Sequence, residues 1–163
     1  NFESYRADFE SHAEKFEKNY HVKRNIISMF YKCGRGIELM NEYTARTGKQ
    51  YDLVIRMRPD LVFMKHLPDF DINKFYTILH RNHVGLGTGD MFQVSNQWLM
   101  SLYGNISLIL PQLYKKTDIL CPHIILEQFF KELNLPWEEF PMEKKLMHTP
   151  HGEYVPKQVY GYN

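Results

Sequence analysis

The chain has 163 residues, 44% of them hydrophobic and 24% charged, which is enough for one core and short for two independent domains of ordinary size. Twenty Lys and Arg against 19 Asp and Glu leave a formal charge of +1, without the basic excess of a general nucleic-acid binder, so no nucleic-acid partner is expected. An aromatic content of 15% excludes a disordered chain.

Phe2, Tyr5, Phe9, Ala13, Phe16 and Tyr20 recur at steps of three or four with acids and lysines opposite, which predicts a helix from Phe2 to Tyr20. The same period continues from Val22 to Thr47 through Ile26, Met29, Phe30, Cys33, Ile37, Met40 and Tyr43. Gly34 and Gly36 weaken its middle, and Gly48 is placed to stop it. The period then changes. Leu53, Val54 and Ile55 are apolar on both alternating faces of the segment Tyr51 to Arg56, which predicts a central strand buried on each side. Leu61 to Met64 resumes a strand after Pro59. Phe75 to Leu79 and Met91 to Ser95 are two further short strands, separated by the glycine-bearing loop His80 to Asp90. Helices follow at Asn96 to Tyr103, around Ser107 to Lys115, and at Pro122 to Leu133, where Pro122 suits a first turn. The tail from Trp137 to Asn163 is variable, with one strand near Lys144 to His148. Alternating helix and strand define an α/β class: one domain over residues 1–163, with a mixed, mainly parallel sheet flanked by helices.

No apolar run is long enough to cross a bilayer, so a soluble chain with no membrane segment is expected. Cys33 and Cys121 are too few for a disulfide framework. They suit a reducing compartment, and location stays open with the cytoplasm slightly favoured. Asn105-Ile106-Ser107 would be a glycosylation acceptor only in a secretory compartment.

Chemistry concentrates where the first strand ends. In open α/β sheets ligands bind outside the carboxyl ends of strands, and Arg56, Arg58 and Asp60 cluster there. Two guanidiniums can fork onto phosphate oxygens, and a carboxylate beside them can hold a divalent cation that bridges a diphosphate. An ion network in which Arg56 or Arg58 pairs with Asp60 or Asp52 accounts for the same residues without a ligand.

The block Tyr51 to Phe63, Y-D-L-V-I-R-M-R-P-D-L-V-F, resembles the Y-D-x-V-I-R-x-R-P-D-L-x-F block of a group of glycosyltransferase-like proteins with a fold of the GT-A type. A second block, an acid that starts a short strand and then a helix, is similar to Gly89-Asp90-Met91-Phe92-Gln93-Val94-Ser95 through Leu99 to Tyr103. A third, a P-x-x-x-x-E helix, is similar to Pro122 through Glu127 to Phe130. Together they span about Val22 to Leu133. The resemblance implies a GT-A-like domain that transfers a sugar from a nucleotide-diphosphate sugar to a carbohydrate or other hydroxyl acceptor, commonly with Mn²⁺ or Mg²⁺ at an Asp-x-Asp motif. Arg56 and Arg58 then face the donor diphosphate, and Asp60 faces the metal. In several GT-A enzymes a late histidine completes the metal shell, which here would be His148. The sequence departs from the pattern at Arg58, which stands where the first acid of Asp-x-Asp belongs; Arg58 itself could replace the metal as counter-charge. A GT-A domain also normally starts with a βαβ half that grips base and ribose. None precedes these helices, so the resemblance implies either that this half lies upstream of Asn1 or that the domain is a reduced relative.

Asp90, at the entrance to a strand, lies where an acceptor hydroxyl would approach and could accept its proton as the catalytic base, or could serve as a loop cap. Glu127 points inward toward an acceptor sugar or an arginine, or outward to solvent. A literal Asp-x-Asp at Asp69-Phe70-Asp71 sits beside Pro68, where carboxylates serve turns. The loop His80 to Asp90 closes over a donor or simply connects strands, and Trp137, Tyr154, Tyr160 and Tyr162 stack on sugars or fill the core. Two classes therefore compete: a glycosyltransferase, and a non-catalytic glycan- or nucleotide-binding or scaffold domain of the same fold. A metal-dependent phosphoesterase would require more converging carboxylates and histidines.

Overall fold

The computed structural model describes residues 3, 4, 6, 7, 20–78, 87–141 and 144–146. Within them, four helices lie over one face of a four-stranded mixed sheet, and a separate strand pair packs against the other. Helix α1 runs from Tyr20 to Thr47, followed by β1 (Val54–Met57), β2 (Leu61–Phe63), β3 (Phe75–Ile78) and β4 (Phe92–Ser95). After these come α2 (Gln97–Gly104), a 3₁₀ turn (Asn105–Ser107), α3 (Leu110–Thr117), α4 (Pro122–Glu132), β5 (Trp137–Phe140) and β6 (Lys144–Leu146). Residues 3, 4, 6 and 7 are helical; the rest of the helix expected before Tyr20 lies outside the described residues.

The sheet order is β1-β4-β3-β5. β4 runs antiparallel to β1 and to β3, and only β3 and β5 are parallel, so the sheet is mixed but not mainly parallel as the sequence suggested. β3 and β4, consecutive in the chain, pair directly with each other, and consecutive strands that pair in this way run antiparallel. β5, expected only as part of an irregular tail, supplies the parallel pair. Three strands, β1, β3 and β5, thus end at the same side of the sheet, where β4 begins.

The helices cover one face. Ile26, Ile27, Phe30 and Ile37 of α1, Leu99, Met100 and Tyr103 of α2, Leu110 and Leu113 of α3, and Ile125, Leu126, Phe129 and Phe130 of α4 close a single core over Phe75. Aromatic rings fill its centre: the Phe75 and Phe130 ring centroids lie 4.8 Å apart, and Trp137 stacks on Phe130 at 5.6 Å. Trp137 is therefore a core residue rather than a sugar platform. On the other face Tyr76, Ile78, Phe92, Val94 and Phe140 form a smaller cluster with Leu61, covered by Phe63, Leu67 and Phe70. β1 is an edge strand, not a central one. Val54 and Arg56 turn toward the helices, while Leu53, Ile55 and Met57 are exposed. Asp71 serves a turn, accepting from the Asn73 N–H at 3.0 Å, as the alternative reading of Asp69-Phe70-Asp71 had it.

Gly34 and Gly104 explain how α1 crosses the helices beside it. A Cβ at Gly34 would lie 2.7 Å from the Gly104 carbonyl oxygen, and one at Gly104 would lie 2.9 Å from Ile37 Cγ2. Gly36, two residues away, meets nothing within 4 Å. The two glycines of α1 thus have opposite value. Gly36→Ala should raise stability by about 0.5–1 kcal/mol through helix propensity, whereas Gly34→Ala should lower it by about 1–3 kcal/mol because rigid backbone must move. Urea denaturation of the two variants distinguishes these signs; equal effects would place the contact elsewhere.

Candidate functional site

The strand register lines up four polar residues across the whole sheet. Arg56 of β1 is opposite Gln93 of β4, Gln93 is opposite Thr77 of β3, and Thr77 is opposite Glu139 of β5. All four side chains share the face beneath the helices, two residues along from Phe75 and Trp137. Thr77 and Gln93 are fully buried. Polar groups so placed must find partners, and they find them in one segment, Gly87–Asp90, which crosses the ends of the strands.

Each member of the row holds a different group of that segment. The Thr77 and Thr88 hydroxyls are hydrogen-bonded at 2.8 Å. The Gly89 N–H donates to Glu139 Oε1 at 3.3 Å, and Gln93 Nε2 donates to the Gly89 carbonyl at 3.1 Å. Arg56 donates to the Asp90 carbonyl and, at 2.8 Å, to Gln93 Oε1. Helix α4 holds the segment from its other side. The Thr88 N–H donates to the His123 carbonyl at 3.1 Å, and His123 Nδ1 lies 2.9 Å from the Thr88 carbonyl. The fit leaves no space at Gly87, where φ is +81° and a Cβ would meet the His123 backbone at 2.4 Å; only glycine suits both demands.

The charges follow from this packing. Burial alone would lower the pKa of Arg56, but Tyr103, Cys33 and Asp90 outweigh it and the guanidinium is held above its ordinary value. Tyr103 is buried in the core, which pushes its phenol well above the usual range, so it stays protonated; the Cys33 thiol acts in the same direction on both it and Arg56. Arg58 forms a forked pair with Asp60, Nε to Oδ1 at 2.9 Å and Nη2 to Oδ2 at 2.6 Å, and these bonds raise its pKa. The backbone N–H of Arg58 donates to the Met91 carbonyl at 3.0 Å, which ties this pair to the start of β4 beside Asp90. Asp90 accepts no hydrogen bond at its carboxylate among the described residues; its contact there is His123 Nδ1, 3.6 Å from Oδ1.

Four of the six site residues expected from sequence therefore converge: Arg56, Arg58, Asp60 and Asp90. Glu127 does not join them. It pairs with Lys131 one turn along α4, and no hydrogen bond or ion pair links it to the cluster. His148 lies outside the described residues, as do Tyr154, Tyr160, Tyr162 and most of the loop before Gly87. The Mn²⁺ or Mg²⁺ expectation was tested against the donor set. Both oxygens of Asp60 accept from Arg58, and no group of three or more His, Cys, Asp or Glu side chains able to hold a metal occurs among the described residues, so these residues do not fit a divalent cation. Sequence reasoning missed His123, Thr77, Thr88, Gln93 and Glu139. The available signal was the lone polar residue in the middle of each of two short apolar strands, Thr77 and Gln93.

Compared with protein-family models, with characterised proteins and with solved structures, the chain matches none. No helix among the described residues is long and apolar enough to cross a membrane.

Removing the Arg56 charge should leave the Asp90 carbonyl and Gln93 Oε1 without their donor. Arg56→Met is expected to cost about 2–4 kcal/mol in urea denaturation. Arg58→Met, which breaks a half-exposed pair, should cost less than about 1 kcal/mol. Equal costs would show that the buried row does not carry the segment.

Proposed function

We propose that the domain is a glycosyltransferase that moves a sugar from a nucleotide-diphosphate donor to a hydroxyl acceptor. The observation that carries this reading is the state of the carboxylates. Asp60 is bonded to Arg58, Glu127 to Lys131 and Glu139 to the Gly89 N–H, whereas among the described residues the carboxylate of Asp90 accepts no hydrogen bond, and its charge is felt by the Arg56 and Arg58 guanidiniums. A carboxylate with unused lone pairs can accept a proton, and nearby guanidiniums can meet the charge of a leaving diphosphate. The resemblance of the Tyr51–Phe63 block points to the same chemistry.

In this scheme the bond between the anomeric carbon and the diphosphate oxygen breaks as the acceptor oxygen bonds to that carbon. The acceptor proton passes to Asp90. Arg58 turns its fork from Asp60 to the diphosphate, a substitution of one bidentate oxyanion for another. Arg56, whose donors are spent on the Asp90 carbonyl and Gln93, supplies fixed positive charge from below and holds the base in place. Glu127 takes no part.

Asp90→Asn should reduce transfer by about 10²–10⁴-fold with the fold intact, and Arg58→Ala should raise the donor KM by about tenfold or more. The measurement is calorimetric titration with UDP-, GDP- and dTDP-sugars, with and without Mn²⁺, followed by product detection across an acceptor panel. Absence of both binding and product would sink the proposal. Binding without transfer would favour the non-catalytic binding domain.

A further inference from the structure

We infer that His123 is a positioning residue that fixes where the Asp90 carboxylate stands, an inference that rests on the transferase reading of Asp90. The imidazole meets two oxygens on one nitrogen: the Thr88 carbonyl at 2.9 Å and Asp90 Oδ1 at 3.6 Å. A carbonyl can only accept, so Nδ1 carries the proton, and the same N–H dipole faces the carboxylate. The distance to Oδ1 is beyond a hydrogen bond and within electrostatic reach. His123 and Asp90 side chains are 12% and 13% exposed, so solvent screens this contact little.

The backbone supports the same role. His123 and Thr88 exchange two hydrogen bonds, one from the Thr88 N–H to the His123 carbonyl and one from Nδ1 back to the Thr88 carbonyl. Gly87 closes against the His123 backbone with no space between. The row beneath the segment fixes Thr88, Gly89 and the Asp90 carbonyl from the sheet side. None of those bonds reaches the Asp90 side chain. Among the described residues the contact of that carboxylate is His123, which acts through Asp90 and not on the substrate.

Asn and Gln separate this role from chemistry at the imidazole itself. The Asn amide nitrogen stands near the Nδ1 position and can still donate to the Thr88 carbonyl; the Gln amide stands near Nε2 and cannot. In the full chain, amide hydrogen exchange at Thr88, Gly89 and Asp90 should accelerate about tenfold or more in His123→Gln and stay near wild type in His123→Asn. In the transfer assay His123→Gln should lower kcat by about 10–100-fold with the donor KM changed less than about twofold, and His123→Asn should recover most of kcat. Unchanged exchange in His123→Gln would overturn the inference, as would failure of His123→Asn to recover kcat, since the ring would then do the chemistry. If the wild-type chain neither binds a donor nor transfers, the transferase reading fails by itself, and the exchange comparison still decides whether His123 holds the segment.

Discussion

The half-buried guanidinium of Arg56 is the constraint on which the rest of the site depends. A permanent charge beneath packed helices must be surrounded by acceptors, because leaving it unpaired costs far more than any single contact returns. The acceptors come from a distant part of the chain: the Asp90 carbonyl and Gln93 Oε1. Meeting that one requirement fixes β4 and the segment before it relative to β1. Gln93, committed to Arg56 through its oxygen, then offers its amide to Gly89, and the demand for partners spreads along the row to Thr77 and Glu139. Hydrophobic packing of Phe75, Phe130 and Trp137 supplies the bulk of the burial beside this row, but it has no comparable directional requirement.

Much of the local structure was legible. Helical spacing from Ile26 to Met40 marked the buried face of α1, and Gly48, with φ of +71°, ends it as expected. Asn96 caps α2, and Pro122 opens α4. The direction of strands was not legible, because a β3–β4 connection rich in glycine reads equally well as a turn or as a lead-in to another element. The apolar run Leu53-Val54-Ile55 pointed to a central strand and instead forms an edge, with Ile55 exposed. Apolar composition reports what a strand can bury, not how many neighbours it has.

For the site, sequence proximity located Arg56, Arg58 and Asp60, and the forked Arg58–Asp60 pair is the ion network weighed as the alternative. What spacing could not reveal was which groups would be consumed by one another. The bonding of Asp60 and Asp90 differs because one has a guanidinium two residues away and the other has its backbone carbonyl, not its side chain, bonded to Arg56. His123 was hidden for a similar reason: its neighbours, Thr88 and Asp90, lie more than thirty positions back along the chain.

The glycine contact between α1 and the helices beside it has a mechanical consequence. Cys33 and Gly34 are the two middle residues of a helix of 28 residues, so each arm extends about 20 Å from the contact. Gly34 acts as a fulcrum. A tilt of α1 about this point would carry its ends through a wide arc while displacing Cys33, which packs against the core, hardly at all. A force on either end of the helix would therefore be felt least at its glycine contact, where the core beside it is packed most tightly against backbone.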